Sequence, residues 1–211
     1  MKKLFFLLIA GAGFASLSAF LPKKPTTATT PLTQTPTKWV VDKGHTNIKF
    51  GVTHMVVSEM EGNFKAFDGS VEHTKADWSD AKINFTVDVN SINTDSENRD
   101  KHLKSDDFFN AEKYPTMTFV STSFRPKGNN NYELLGNLTI RDITKAVKFD
   151  VRFGGIATST RGDKAGFKAK GTINRFDYNL KWDRATEAGG LVVGKEVDVT
   201  VLLELNKAKA Q

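Results

Sequence analysis

Ala81-Lys82-Ile83-Asn84-Phe85-Thr86-Val87-Asp88-Val89-Asn90 alternates apolar and polar side chains without a break. A period of two puts every apolar residue on one face of an extended chain, whereas a helix would scatter them around its axis. The stretch therefore predicts a strand with one buried and one wet face. The same alternation recurs outward from it: Ile48-x-Phe50-x-Val52, Leu134-x-Gly136-x-Leu138-x-Ile140, Val147-x-Phe149-x-Val151-x-Phe153, Phe167-x-Ala169-x-Gly171-x-Ile173 and Val197-x-Val199-x-Val201-x-Leu203-x-Leu205. Two less regular runs, 63–73 and 116–124, bring the expectation to eight strands.

Gly128-Asn129-Asn130-Asn131 and Arg161-Gly162-Asp163 lie between neighbouring strands, and Gly and Asn tolerate the positive φ of hairpin turns. Strands joined in this way pair antiparallel. Arg161-Gly162-Asp163 also has the form of a cell-adhesion tripeptide, but a hairpin tip explains it. One connection differs: Thr94-x-x-Glu97 has the form of a capping box opening a short helix through Leu103, and Pro115 turns the chain back to extended geometry. The expected fold is all-β, an eight-stranded antiparallel barrel with a short helix in one connection. A two-sheet sandwich fits the same pattern, but closure removes exposed sheet edges and is favoured.

The ends of the chain carry the composition shifts. Lys2 and Lys3, an apolar run from Leu4 to Ala15 and small residues near Ser18 have the layout of a secretory signal peptide, assigned to residues 1–19. Residues 20–38 are rich in proline, threonine and lysine and are expected to be a solvated tether. The folded domain is placed at 39–211. Of the net charge of +6, five units belong to the leader and tether, which hold five lysines and no acid; the domain carries 25 basic against 24 acidic groups, a net of +1. That balance argues against a nucleic-acid partner. Cysteine is absent, which removes disulfides, thiolate catalysis and cysteine metal sites together.

The apolar face sets very small residues, Ala81, Gly136, Ala169 and Gly171, among Phe85, Leu138, Phe167 and Ile173. Pointing inward, the small residues leave volume along a barrel axis; alternatively they accommodate bulky neighbours or permit sheet curvature. An eight-stranded barrel is wide enough to be filled by side chains or to hold one slender ligand. Charge is nearly absent from this face, so a ligand there is apolar over most of its length. Burial of a hydrocarbon chain is worth roughly 0.8 kcal/mol per CH₂, so non-covalent binding suffices.

Polar groups that could meet a head group gather at His45, Thr46 and His54, and at Arg99, Asp100 and His102. Arg99 and His102 share a helix face and suit a phosphate or quinone oxygen. An ion-pair clamp through Asp100 fits the same residues. The four histidines show no His-x-His, His-x-x-x-His or His-Glu-x-x-His pairing, and no nucleophile elbow or phosphate loop is present. No catalytic group, metal site or cofactor is assigned.

The run Asp42-x-x-His45-Thr46-x-Ile48-x-Phe50-x-Val52-x-His54-Met55-x-Val57-Ser58, with Gly62-x-Phe64, resembles the opening signature of the YceI-like family of lipocalin-like, polyisoprenoid-binding exported proteins. Arg99-Asp100-x-His102-Leu103-x-Ser105-x-Asp107-Phe108-Phe109, Tyr114-Pro115 with Thr118-Phe119, Gly136-x-Leu138-Thr139-Ile140 and residues 192–197 extend the likeness over most of 39–205. The resemblance implies a periplasmic barrel whose apolar tunnel holds an isoprenoid, such as a polyprenyl phosphate or an isoprenoid quinone, for carriage, storage or sequestration. On that basis Phe50, Val52, Phe85, Val87, Phe119, Leu138, Phe149, Phe167, Ala169, Gly171, Ile173 and Val201 are expected to line the tunnel. His45, His54, Arg99 and His102 are expected at the head-group end. The partner is then an isoprenoid lipid, with transient membrane proximity and a homodimer left open. The rival readings are an exported hydrolase using rim histidines and a ligand-free structural domain.

Overall fold

A computed structural model describes residues 35–187 and 189–209. The expected leader, and the tether up to residue 34, lie outside the described residues. The first strand, β1 (Thr37–Val41), begins inside the segment read as tether, because Trp39 and Val41 alternate inward and join the core. The chain continues through β2 (Asn47–His54), β3 (Ser58–Phe64), β4 (Phe67–His73), β5 (Lys82–Asp88), β6 (Ile92–Asn93), helix α1 (Glu97–Lys104), β7 (Thr116–Gly128), β8 (Asn131–Ile140), β9 (Ile143–Ser159), β10 (Gly162–Asn174) and β11 (Val193–Lys207).

These segments form one closed antiparallel barrel of eight strands, the expected fold. β1 and β2 are two halves of one strand, since both pair with β11: Trp39–Val41 with its far end and Asn47–Val52 with Val197–Leu202. β3 and β4 are likewise halves of one bent strand, pairing with β2 and β1. β6 continues β5 beyond a single 3₁₀ turn and pairs with β3. The run expected as one strand over 63–73 is therefore broken at Lys65-Ala66, and its first half begins at Ser58.

Side chains repair the ladder at the β1–β2 break. Asp42 Oδ1 accepts from the Gly44 amide at 3.0 Å, closing a tight turn. The Thr46 hydroxyl then donates to the Glu204 carbonyl at 3.2 Å and accepts from the Glu204 amide at 3.1 Å, standing in for the missing backbone rungs. The anticipated hairpin tips hold, with positive φ at Gly128, Asn129, Asn130 and Gly162. At the β8–β9 turn the left-handed residue is Arg141, next to Asp142.

Helix α1 forms where expected, but not through the expected box. Its N-cap is Ser96, and the Thr94 hydroxyl donates instead to Asp100. Segment 105–115 follows α1, and Arg141 fastens it by donating to the carbonyls of Asp106, Phe108 and Asn179.

Candidate functional site

The inward faces of the strands enclose an unfilled bore of about 230 Å³. A single enclosed water needs on the order of 10–15 Å³ by the same kind of measure, so the space is far larger than a packing defect. Its wall is almost wholly hydrocarbon and aromatic; only Lys49, Thr118 and Arg175 contribute polar side chains among the lining residues. Phe50, Val52, Phe85, Val87, Phe119, Leu138, Phe149, Phe167, Ala169, Ile173 and Val201, all expected on this face, stand on the wall.

Glycines keep the bore open. Phe85 lies across Gly69 of the paired strand, and a β-carbon on Gly69 would stand 2.9 Å from Phe85 Cδ1. Phe149 covers Gly171 in the same way at 2.7 Å. The rings of Phe50 and Phe119 occupy the places where β-carbons on Gly62 and Gly136 would project. Four bulky rings thus lie flat against the sheet instead of reaching across the barrel, the aromatic cover of strand glycines found in other sheets. Gly171 consequently does not line the bore itself. Both readings of the small residues hold, at different positions: Ala169 adds volume, while Gly171 and Gly136 seat a ring.

One end of the bore is plugged. Trp78, only 2 % exposed, enters from the 74–80 loop with φ +61 and packs on Phe167 at a ring-centroid separation of 5.1 Å, on Trp39 at 5.4 Å and on Phe153 at 5.7 Å. His73 stacks on its outer side at 3.8 Å. The Trp39 indole N–H donates to His73 Nε2 at 3.0 Å, so Nδ1 carries the proton and donates to the Lys75 carbonyl at 2.9 Å. The carboxylate of Asp80 ties the loop by accepting from the amides of Thr74 and Lys75 and from the Thr74 hydroxyl. These bonds hold the Asp80 carboxyl down to about 2, the Thr74 hydroxyl contributing most.

The opposite end is built by α1, segment 105–115 and the chain after β10. Arg175 lies there on the bore wall and is 3 % exposed. Its guanidinium sits over the rings of Phe108 and Phe176, at 5.9 Å and 4.2 Å from their centroids. Burial lowers its pKa from the ordinary value, yet a guanidinium stays charged in proteins. Phe108 stacks on Trp182, and the Trp182 amide donates to the Asp107 carbonyl, joining the two covering segments. Between Phe167 beside Trp78 and Arg175 lie eight strand steps, roughly 25 Å of extended chain.

Of the polar residues expected on one rim, Arg99 and His102 stand on α1 at this end and His54 pairs with Val193 beside Arg175, but His45 lies elsewhere and none of the four lines the bore. His45 lies on the outer wall at the β1–β2 turn, 3.1 Å from Asp42 and 3.6 Å from Glu204. Those three side chains could ligate a cation by proximity, but the Lys164 ammonium sits 2.6 Å from both carboxylates. Its hydrogen bond is the main cause holding the Asp42 carboxyl well below the usual carboxylate range. Arg99 donates to the hydroxyl and carbonyl of Thr94, and the Thr94 amide and hydroxyl donate to Asp100, so the two side chains are joined through Thr94 by hydrogen bonds rather than by the expected ion pair. His102 pairs with Asp107 at 2.8 Å and packs edge-on to Phe108 and Trp182, behind the wall. His54 is half-buried at the end of β2, one inward step beyond Val52, and does not line the bore.

Arg175 and Trp78 were missed in the sequence. Arg175 was within reach, because the inward parity of Phe167, Ala169, Gly171 and Ile173 extends one step to it. Trp78 carries a weaker signal, a lone tryptophan in a polar loop.

The YceI-like domain model matches residues 39–205. A UPF0312 protein of Staphylococcus aureus is 37% identical over 163 residues, covering 76% of this chain and 92% of its own. Burkholderia cenocepacia BcnA superposes with a TM-score of 0.68 at 25% identity, covering 78% of this chain and 98% of its own. A polyisoprenoid-binding domain from Saccharophagus degradans, implicated in plant cell wall breakdown, shares the fold with a TM-score of 0.58 at 16% identity over 81% of this chain and 98% of that one. With its family model spanning most of the barrel and its relatives aligned nearly end to end, the chain belongs to the YceI-like family.

Proposed function

We propose that this protein is an exported lipid-binding protein that holds an isoprenoid chain in its bore, for carriage, storage or sequestration. The observation that carries the reading is the apolar bore itself, left unfilled by the protein's own side chains. A protein interior normally packs to crystal density, and an empty apolar space forfeits the dispersion energy of its lining, so a cavity of this size needs an occupant to repay it. The polyisoprenoid-binding domain of the same fold supports an isoprenoid as that occupant. Among the described residues, the wall includes no histidine, serine or carboxylate, which favours binding over turnover. Export rests on the composition of residues 1–19 and leads to a periplasmic location.

Organic extraction of the purified protein, read by mass spectrometry, tests the ligand: a stoichiometric isoprenoid is expected. Protein that is consistently empty, and that takes up no polyprenol or polyprenyl phosphate after delipidation, overturns the reading. Fractionation of cells with sequencing of the mature N-terminus tests export; an intact Met1 start in the cytosol would refute it.

A further inference from the structure

We propose that Arg175 is the head-group anchor of the bore, and that the preferred cargo ends in a phosphate ester rather than a neutral quinone or alcohol. The inference rests on the lipid-binding reading above and names the chemistry of one end of that lipid.

Arg175 continues the inward face of β10 and is the one cation buried on the bore wall among the described residues; the other cationic residue of the lining, Lys49, is exposed. Its neighbours hold it without neutralising it. Nε donates to the Gly194 carbonyl at 2.8 Å, Nη1 to the carbonyls of Leu180 and Trp182 at 2.7 and 2.8 Å, and Nη2 to the Val193 carbonyl at 2.9 Å. All four acceptors are uncharged backbone. A guanidinium has five N–H donors, so one Nη2 hydrogen is left over. No carboxylate of the described residues forms an ion pair with it; Asp183 acts on it only through space.

A buried cation without a counter-charge is unfavourable, and buried charges are usually paired. Four carbonyls take four of the five N–H groups, so tethering the loops around 180 and 193 uses all but one of the donors and none of the charge. A phosphate oxygen at the free Nη2 hydrogen would supply both the missing acceptor and the missing negative charge, in a charge-assisted bond strengthened by the apolar surroundings. The hydrocarbon of the same molecule would then run along the Phe-lined wall toward Trp78. A quinone oxygen or a hydroxyl could take the hydrogen bond but would leave the charge unmatched.

The test compares two probes of equal chain length, a polyprenyl monophosphate and the corresponding polyprenol, binding to delipidated full-length protein by native mass spectrometry and tryptophan fluorescence. The phosphate is expected to bind about tenfold or more tightly. Arg175→Gln, which keeps neutral donors but removes the charge, is expected to abolish that preference while still binding the polyprenol. Equal affinities of the wild-type protein for the two probes overturn the anchor and leave the lipid-binding reading standing; failure to bind either probe sinks that reading. Should Arg175→Gln not fold, the wild-type comparison still decides. A folded Arg175→Gln variant that retains the full phosphate preference overturns the assignment.

Discussion

The ring of Phe149 lies so close over Gly171 that a β-carbon at position 171 would stand 2.7 Å from Phe149 Cδ1 and 2.7 Å from the Lys148 carbonyl oxygen. The ring could swing away, but only into the bore, and the carbonyl belongs to a sheet that cannot readily yield. Gly171→Ala is therefore expected to destabilise the barrel by about 1–3 kcal/mol, the usual scale of overpacking. Chemical denaturation checks it; a variant as stable as the parent would show that the strands part without strain.

Ala169, two residues away, has its side chain on the bore wall. Ala169→Phe places a ring in the space proposed for the lipid, and should cut the isoprenoid recovered after extraction severalfold. The added ring fills a void instead of displacing packed atoms, so the melting temperature of the empty protein should change little. Undiminished lipid content would mean that the cargo does not pass residue 169.

Asp80 secures the loop that carries Trp78, and its carboxyl is held at about 2, below the ordinary 3.8. A carboxylate depressed in the folded state adds stability that is present above its unfolded value and fades as pH falls through the folded one. The stability gap between wild type and Asp80→Asn is thus expected to be full at neutral pH and to close as pH drops from about 4 to about 2. Denaturation curves across this range measure the gap; a constant difference would place the effect elsewhere than in the charge.

Arg99 spends its side chain on Thr94 and does not line the bore. Arg99→Ala should lower stability by about 1–3 kcal/mol, as expected for leaving buried partners unsatisfied, while extracted lipid per folded molecule stays unchanged. His45→Ala, at an exposed turn, should alter neither quantity much. Loss of lipid in folded Arg99→Ala would restore it to the binding end.

The β2–β3 turn holds Met55 at φ +54 and Val56 at φ +67, with Val56 64 % exposed. A β-branched residue in left-handed geometry is strained by roughly 1–3 kcal/mol. Val56→Asn is expected to raise the melting temperature by a few degrees, since Asn tolerates this region. A fall instead would reveal that the contact between Val56 and Gly190 outweighs the strain.

Much of the barrel was legible because its signal is local. Alternation identified the inward face of β8, β9, β10 and β11, and Gly and Asn marked the hairpin tips. β1 escaped because only Trp39 and Val41 carry its pattern, next to a polar segment. The break between β3 and β4 is a bend whose cause lies in closure. The wall of the bore was readable by parity, and so was Arg175, had the alternation been followed one step further. The polar rim was not: His45 is drawn to Glu204, a partner distant in the chain, while Arg99 and His102 take up Thr94 and Asp107, each five residues away, a pairing that no face or period of the sequence marks.

What the sequence determined by itself is which side of each strand faces in, because side-chain direction follows from residue parity and burial from polarity. Whether that inner face packs solid or stays hollow was decided only by tertiary structure. It depends on which ring lies over which glycine across a strand pair, as Phe149 does over Gly171, and on which loop delivers Trp78 and which leaves Arg175 without a carboxylate. Those are contacts between residues distant in the chain, set by register and closure, and no local pattern encodes them.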